Sequence, residues 1–355
     1  MQLDVPFIPD RAYTRFLQTL TGQLVAVHFS LGLAPAHDSR NVLQQPPIDG
    51  LNEQLDLLSG PRKYALLNSR FYNPRTYASA ESLTAVLAVL EELLAAGNLH
   101  GVVFADHYLL QALSRASPAI AAELEAVPSV NAMLDSFDKI NAHLELIATT
   151  CFRPPGKLVL DRSLNRDLLR LKEISSRCRA TYPEIGLSLL ANEGCLFQCP
   201  FKPAHDAHIA LANCSAQPSA LLLNANLGCI DYLAAHPGQL FKSPFIRPED
   251  TSYYEEYVDT IKLCGRTLGS TFLRRAVAAY ADKRYEGNLL DLFDTLDWLA
   301  ARLSVPNHRI PSDFLAVVAA CTKKCADCGY CEELYQSISR PRPLALADLR
   351  ALPTR

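Results

Sequence analysis

No stretch of the chain approaches ~20 uninterrupted apolar residues, so no membrane span is expected in its 355 residues. Met1-Gln-Leu-Asp-Val-Pro lacks the basic region and continuous apolar core of a secretory signal, and a cytoplasmic protein is expected. Charge of one sign is also lacking. With 34 Lys and Arg against 37 Asp and Glu, the formal net charge is −3. This argues against a non-specific nucleic-acid coat and leaves a local basic groove open. Neither a His-Glu-x-x-His motif nor a Ser/His/Asp order is found, so peptidase chemistry is the weakest option. Internal repeats and low-complexity tracts are missing as well. What remains, 49% apolar and 20% charged residues, is ordinary for a globular enzyme with a full core. Cysteine is abundant: eleven thiols in a chain without a secretory signal point to metal or catalysis rather than disulfides.

Short apolar runs at Gln23–His28, Lys63–Leu67, Val102–Phe104, Val130–Leu134, Lys157–Leu160, Ile185–Leu190, Ala220–Leu223 and Phe245–Asp250 read as strands. Between them, Leu83, Val86, Leu87, Leu90 and Leu94 recur at helical spacing. Leu168, Leu171, Ile174 and Cys178 do the same after Asn165, a suitable N-cap. Strands alternating with such helices imply an α/β fold, a (β/α)8 TIM-like barrel or an irregular version of it, over 1–250. Helices are expected at Tyr253–Leu263, Thr271–Tyr280 and Leu289–Leu303, within a helical cysteine-rich extension over 251–340. A proline-bearing tail covers 341–355.

The stretch Ala191–His208, ANEGCLFQCPFKPAHDAH, follows the sixth strand and delivers Glu193, Cys195, Cys199, Lys202, His205, Asp206 and His208 to one loop. In α/β barrels chemistry sits where strands run out into such loops. His28, Asp106, His107, Glu193 and His205 are candidate proton carriers. Arg40, Asn68, Arg70, Arg247, Lys262 and Arg266 are candidate contacts to a small, anionic or hydroxylated substrate. The plainer alternative is that such residues cap helices, brace loops and form salt bridges. Cys195, Cys199, Cys214 and Cys229 form a loose candidate ligand set, in which His205 or His208 can replace Cys214. Cys151, Cys178 and Cys264 stand alone and read as small buried hydrophobes.

The densest motif is Cys321-Thr-Lys-Lys-Cys325-Ala-Asp-Cys328-Gly-Tyr-Cys331. Four soft thiolates this close can wrap one centre. The compact spacing leans to a 4Fe–4S cluster, with zinc as the alternative. Cys321, Cys325 and Cys328 also satisfy the three-cysteine spacing of radical S-adenosylmethionine enzymes. There, however, the motif follows the first strand, and an aromatic or apolar residue stands where Asp327 does.

Lys157-Leu-Val-Leu-Asp-Arg-Ser-Leu-Asn165, the helix after it, and Ile185–Cys199 resemble the collagenase-like peptidase (U32-type) family. Ile261-Lys262-Leu-Cys-Gly265-Arg266 is similar to that family's Lys-Ile-Glu-Gly-Arg segment, with Cys264 where the family has glutamate. Tyr280 and Arg284 fall in a comparable helix and turn. The likeness covers Pro155–Gly287 and extends to the anaerobic ubiquinone-biosynthesis hydroxylase subunits and RNA hydroxylases. It implies oxygen-independent hydroxylation with a 4Fe–4S cluster held best by Cys195 and Cys199, then Cys229, and least by Cys214. The tail run has no counterpart in the resemblance. The expectation is an iron–sulfur oxidoreductase acting on a small metabolite, with one or two clusters and a redox partner or heteromeric subunit. An RNA-modifying hydroxylase and a non-catalytic electron-transfer subunit are the alternatives.

Overall fold

The computed structural model describes residues 1–33, 37–40, 50–215, 219–325 and 327–342. Eight strands pair in parallel: β1 Gln2–Pro6, β2 Leu24–Ser30, β3 Arg62–Leu67, β4 Gly101–Phe104, β5 Glu125–Pro128, β6 Lys157–Val159, β7 Gly186–Leu190 and β8 Thr260–Lys262. Their order is β5-β4-β3-β2-β1-β8-β7-β6. The seam between β5 and β6 is drawn together by Arg153, just upstream of β6. Its N–H donates to Leu124 O at 2.9 Å, and its carbonyl accepts from Ala126 N at 3.1 Å. The sheet is thus a nearly closed (β/α)8 TIM-like barrel ringed by helices.

Alternation along each strand sorts the side chains. Leu3, Val5, Val27, Phe29, Ala65, Leu67, Val102 and Phe104 join the main core between strands and helices, while Ala26, Tyr64, Leu66, Val103 and Val127 cluster separately. The second parity also carries Asp4, His28, Glu125, Lys157, Ser188 and Lys262, all buried. Branched apolar side chains usually fill such a barrel. Here much of the filling is charged.

At the seam, Glu125 accepts from Arg62 Nη2 at 2.5 Å, Tyr64 Oη at 2.8 Å and Gly156 N at 3.2 Å. Gly101 makes room for this arrangement. A Cβ there would lie 2.5 Å from Glu125 O and 3.1 Å from the Tyr64 ring.

Several expected elements differ. Gln2–Pro6, read only for signal character, is the central strand β1. In place of the strand expected at Val130–Leu134, β5 runs over Glu125–Pro128, and Val130–Ala132 forms a 3-10 turn. A strand holding Glu and Pro carries weak β propensity. Ala220–Leu223 lies within the helix Ser219–Asn226, since a short apolar run does not separate strand from helix. Phe245–Asp250 is not a strand. Ile246 N bonds to Ala191 O at 3.0 Å, and a 3-10 segment follows at Pro248–Tyr254. The eighth strand is Thr260–Lys262, so the expected helix Tyr253–Leu263 does not form and the barrel extends past residue 250. Leu289–Leu303 breaks into Leu289–Leu292, Asp297–Ala300 and Leu303–Ser304. Tertiary bonds override its periodicity: Asp294 N donates to Asn192 O, and Thr295 Oγ1 accepts from Gly194 N. Asn165 does not cap the helix Leu168–Thr181; Asp167 does. The helices Ala80–Ala95 and Gly269–Ala281 form as expected. Among the described residues no helix is long and apolar enough to cross a membrane. Residues 343–355 of the expected tail lie outside the described residues.

Glu125→Ala leaves Arg62 and Tyr64 unpartnered at the seam. The expected loss is about 1–3 kcal/mol of unfolding free energy by chemical denaturation, with Glu125→Gln losing less.

Candidate functional site

The carboxyl ends of the strands surround a small cavity of about 70 Å³. Leu66, Val103, Val159, Leu190, His28 and Lys262, all from the strands, line its base, and loop residues line its walls. Of the residues singled out in the sequence, His28, Arg40, Asn68, Glu193, Cys195, His205, Lys262 and Arg266 come together here.

Beneath this floor lies Asp4, fully buried on β1. Its Oδ1 is 2.8 Å from His28 Nδ1, and its Oδ2 accepts from Lys157 Nζ at 2.7 Å and Lys262 Nζ at 3.2 Å. Lys262 Nζ is also 2.9 Å from His28 Nδ1, and Lys157 Nζ sits 4.0 Å over the Tyr64 ring. Burial opposes charge on Asp4, but Lys157, Lys262 and then His28 outweigh it and hold the carboxyl well below its ordinary range. Burial and the Lys262 charge push His28 down to about 3, leaving it neutral. Burial, partly offset by Asp4 and reinforced by Lys157, brings Lys262 down to about 8.

The walls are ion-paired. Arg162 meets Glu193 at 2.7 Å, and its Nη1 reaches Cys195 Sγ at 3.6 Å. Arg266 meets Asp38 at 2.6 Å, and Arg40 pairs with Asp294. Lys202 pairs with Asp206 and donates to Asn131 Oδ1 at 3.0 Å. Burial raises Glu193, but Arg162 and Lys202 bring it below its ordinary value. Burial and the Glu193 charge push the Cys195 thiol up, so it is protonated. Gly265 lets the chain turn Arg266 inward: its φ is +121°, and a Cβ would collide with Phe272. Asn192 staples the rim, donating to Cys264 O at 2.9 Å and Leu292 O at 3.0 Å and accepting from Cys264 N.

Other sequence candidates lie elsewhere. Asp106 caps the helix His107–Ala116 and accepts from Tyr77 Oη. His107 Nε2 is 2.8 Å from His143 Nδ1. Arg70 donates to Asn131 O at 3.1 Å, off the cavity lining. Arg247 is buried in a two-pronged pair with Asp250 at 2.7 and 2.8 Å and braces the chain near Ile310. These contacts match the plainer reading of capping and bracing. Asp4, Lys157 and Arg162 are buried, bonded parts of the site that sequence reasoning did not single out. The signal for Asp4 was one carboxylate inside the apolar run Leu3-Asp-Val-Pro-Phe-Ile8.

The thiols divide into two sets on either side of the loop 195–201. In the first, Cys199 lies within electrostatic range of Cys195 and Cys229. Cys214 is remote from them: it sits near the far end of the helix Lys202–Ser215, roughly 18 Å along its axis, against Asn73 and Tyr77. His205 is nearer the first set, lining the mouth cavity with its Nε2 3.1 Å from Asn224 Nδ2.

The second set, Cys321, Cys325, Cys328 and Cys331, lines one larger cavity of about 640 Å³ together with Leu196, Phe197, Pro200 and Phe201. Among its described lining residues are Arg166, Lys242, Lys323 and Lys324 and no carboxylate. Four thiols, cationic neighbours and apolar walls suit an anionic thiolate-ligated cluster. Among the described residues, no three His, Cys, Asp or Glu side chains already stand in a metal-holding arrangement.

No known family profile matches the chain. It is 32% identical over 211 residues to an uncharacterized protease of Methanocaldococcus jannaschii, an overlap of 59% of this chain and 59% of that protein. The chain is also similar to a solved U32 peptidase, with a TM-score of 0.49 at 15% identity over 74% of this chain and 92% of that one. A carboxyl transferase domain of Rhizobium etli pyruvate carboxylase gives a TM-score of 0.32 at 10% identity, over 85% and 57%. The relative from Methanocaldococcus jannaschii is named a protease, this chain spans about three-fifths of its length, and none of the three bears on the ubiquinone-biosynthesis subunits.

Because His28 is depressed to about 3, the unfolded chain binds one more proton there between about pH 3 and 6.5, so stability falls as pH falls through that window. His28→Gln is expected to flatten the stability-against-pH slope by up to about 1.4 kcal/mol per pH unit, read by denaturation at successive pH values.

Proposed function

We propose that this chain, a relative of the collagenase-like (U32) peptidases, is an iron–sulfur oxidoreductase that acts on a small substrate in the barrel mouth, in the manner of an oxygen-independent hydroxylase. The observation that carries the reading is the tail cavity, which four thiols line together with four cationic side chains and the loop that bears Cys195 and Cys199. In this reading Cys321, Cys325, Cys328 and Cys331 hold one 4Fe–4S cluster. Cys195, Cys199 and Cys229 hold a second, with His205 available as a fourth ligand. Such centres supply one-electron transfer when bound.

The chain's own residues do the rest. Arg162 and Lys202 place positive charge beside the Cys195 thiol and favour its ionised form when a metal displaces the proton. The strand ends orient the substrate, and the ion-paired walls exclude bulk water from a cavity this small. His28, neutral, and Lys262 are the groups at its base able to hold or pass a proton.

The same geometry disfavours a cysteine peptidase: the polar partner of Cys195 is Arg162 rather than a histidine base, and burial keeps the thiol protonated. Zinc at the tail, an RNA substrate and an electron-transfer subunit without catalysis are the competing outcomes.

Iron and acid-labile sulfide per chain, with electron paramagnetic resonance, on anaerobically purified protein test the reading. About eight irons, falling to about four in Cys195→Ala and to about four in Cys328→Ala, are expected. About four irons lost only in Cys195→Ala would leave the tail a zinc or structural element. Zinc without iron would overturn the redox reading.

A further inference from the structure

The Asp4 cluster poses a problem of proton count. A ring nitrogen carries either one N–H or one lone pair in its plane. His28 Nδ1 lies 2.8 Å from Asp4 Oδ1 and 2.9 Å from Lys262 Nζ. If Nδ1 accepted from a Lys262 ammonium, its lone pair would face a buried carboxylate oxygen at 2.8 Å. If Nδ1–H donates towards Asp4, the neighbouring Nζ must present a lone pair, which only the uncharged amine has. The second arrangement, reached once Lys262 gives up its extra proton, gives every atom a partner: Nδ1–H is shared by Oδ1 and Nζ, while Lys262 N–H and the Lys157 ammonium both donate to Oδ2.

We propose that Lys262 is a nucleophilic amine at the base of the mouth cavity, poised to capture the carbonyl carbon of a small aldehyde or ketone as an imine. Two lysines share one carboxylate oxygen, so the nearby Lys157 charge disfavours a second ammonium. The groups around Nζ are Asp4, Lys157, His28 and Cys264: Asp4 and, less strongly, Cys264 favour the ammonium, while burial and the Lys157 charge oppose it and prevail. Lys262 lines the cavity and Lys157 does not, so only the former meets an entering carbonyl. In the step, the amine nitrogen bonds to the carbonyl carbon. Both amine protons then leave with the carbonyl oxygen as water, and the neutral imidazole of His28 relays one of them from nitrogen to oxygen. No electrons are exchanged, so the inference stands whether or not the thiols carry iron.

Acetaldehyde with sodium cyanoborohydride, on the protein as purified anaerobically, converts each captured imine to an N-ethyl amine that peptide mass spectrometry reads lysine by lysine. At pH 7, Lys262 is expected to label at least about tenfold faster than exposed Lys172, with Lys157 unlabelled. From pH 7 to pH 9 the rate at Lys262 should rise about tenfold, against about a hundredfold at Lys172. In Lys262→Arg the fast site disappears while the other lysines label as before. Labelling of Lys262 no faster than Lys172, or equal labelling of Lys262 and Lys157, would overturn the proposal. A Lys262→Arg variant that fails to fold leaves the wild-type rate ratios to decide the matter.

Discussion

One buried carboxylate organises this barrel. Asp4 sits at the centre of the sheet and receives His28 from β2, Lys157 from β6 and Lys262 from β8. The Lys157 ammonium, the neutral His28 and the Lys262 amine are tolerable in the interior because Asp4 is there, and Asp4 is tolerable because of them. Removing one partner of such a set typically costs about 3–5 kcal/mol, because a charge is then left buried and uncompensated. A packed apolar interior would be cheaper to build. The polar one places a proton-bearing base under the cavity at the strand ends, where barrels of this kind hold their chemistry.

Above that base the loops are ordered by side-chain bonds more than by regular structure. Asn165 donates to Leu190 O at 2.8 Å and Pro244 O at 2.6 Å, and Arg166 reaches Phe241 O at 2.7 Å. Cys331 Sγ lies 3.7 Å from the same Phe241 carbonyl. The turn after β6 therefore touches both the barrel rim and the cysteine-rich tail. Arg162, four residues earlier, reaches Cys195 from the same turn. The polar mouth and the two thiol sets are thus braced from one short segment.

Much of this was legible in the sequence. Strands with mainly apolar runs, such as Lys63–Leu67 and Ile185–Leu190, were readable because burial on both faces leaves little alternation. The cysteine spacing and the polar strand ends at His28, Asn68 and Glu193 pointed to the mouth. The misses share a cause. β5 carries Glu125 and Pro128, and β8 is only Thr260–Lys262, so neither has a strand's composition or length. β5 is held by pairing with the preceding strand β4, and β8 by pairing with β7 and with β1, the latter distant in sequence. Asp4 and Lys157 were invisible for the same reason: their partners lie 153 residues apart and are joined only by barrel closure. Asp106 and Arg247 have the chemistry of site residues, yet their nearest bonds are local, to a helix start and to Asp250.

The central functional claim is that the thiols beside this mouth hold iron. Anomalous diffraction from crystals grown anaerobically, recorded on both sides of the iron and zinc absorption edges, tests it most directly. The account predicts an iron-edge peak against the Cys321–Cys331 thiols and a second beside Cys195 and Cys199. A zinc-edge peak alone, or no metal peak at either thiol set, would contradict it.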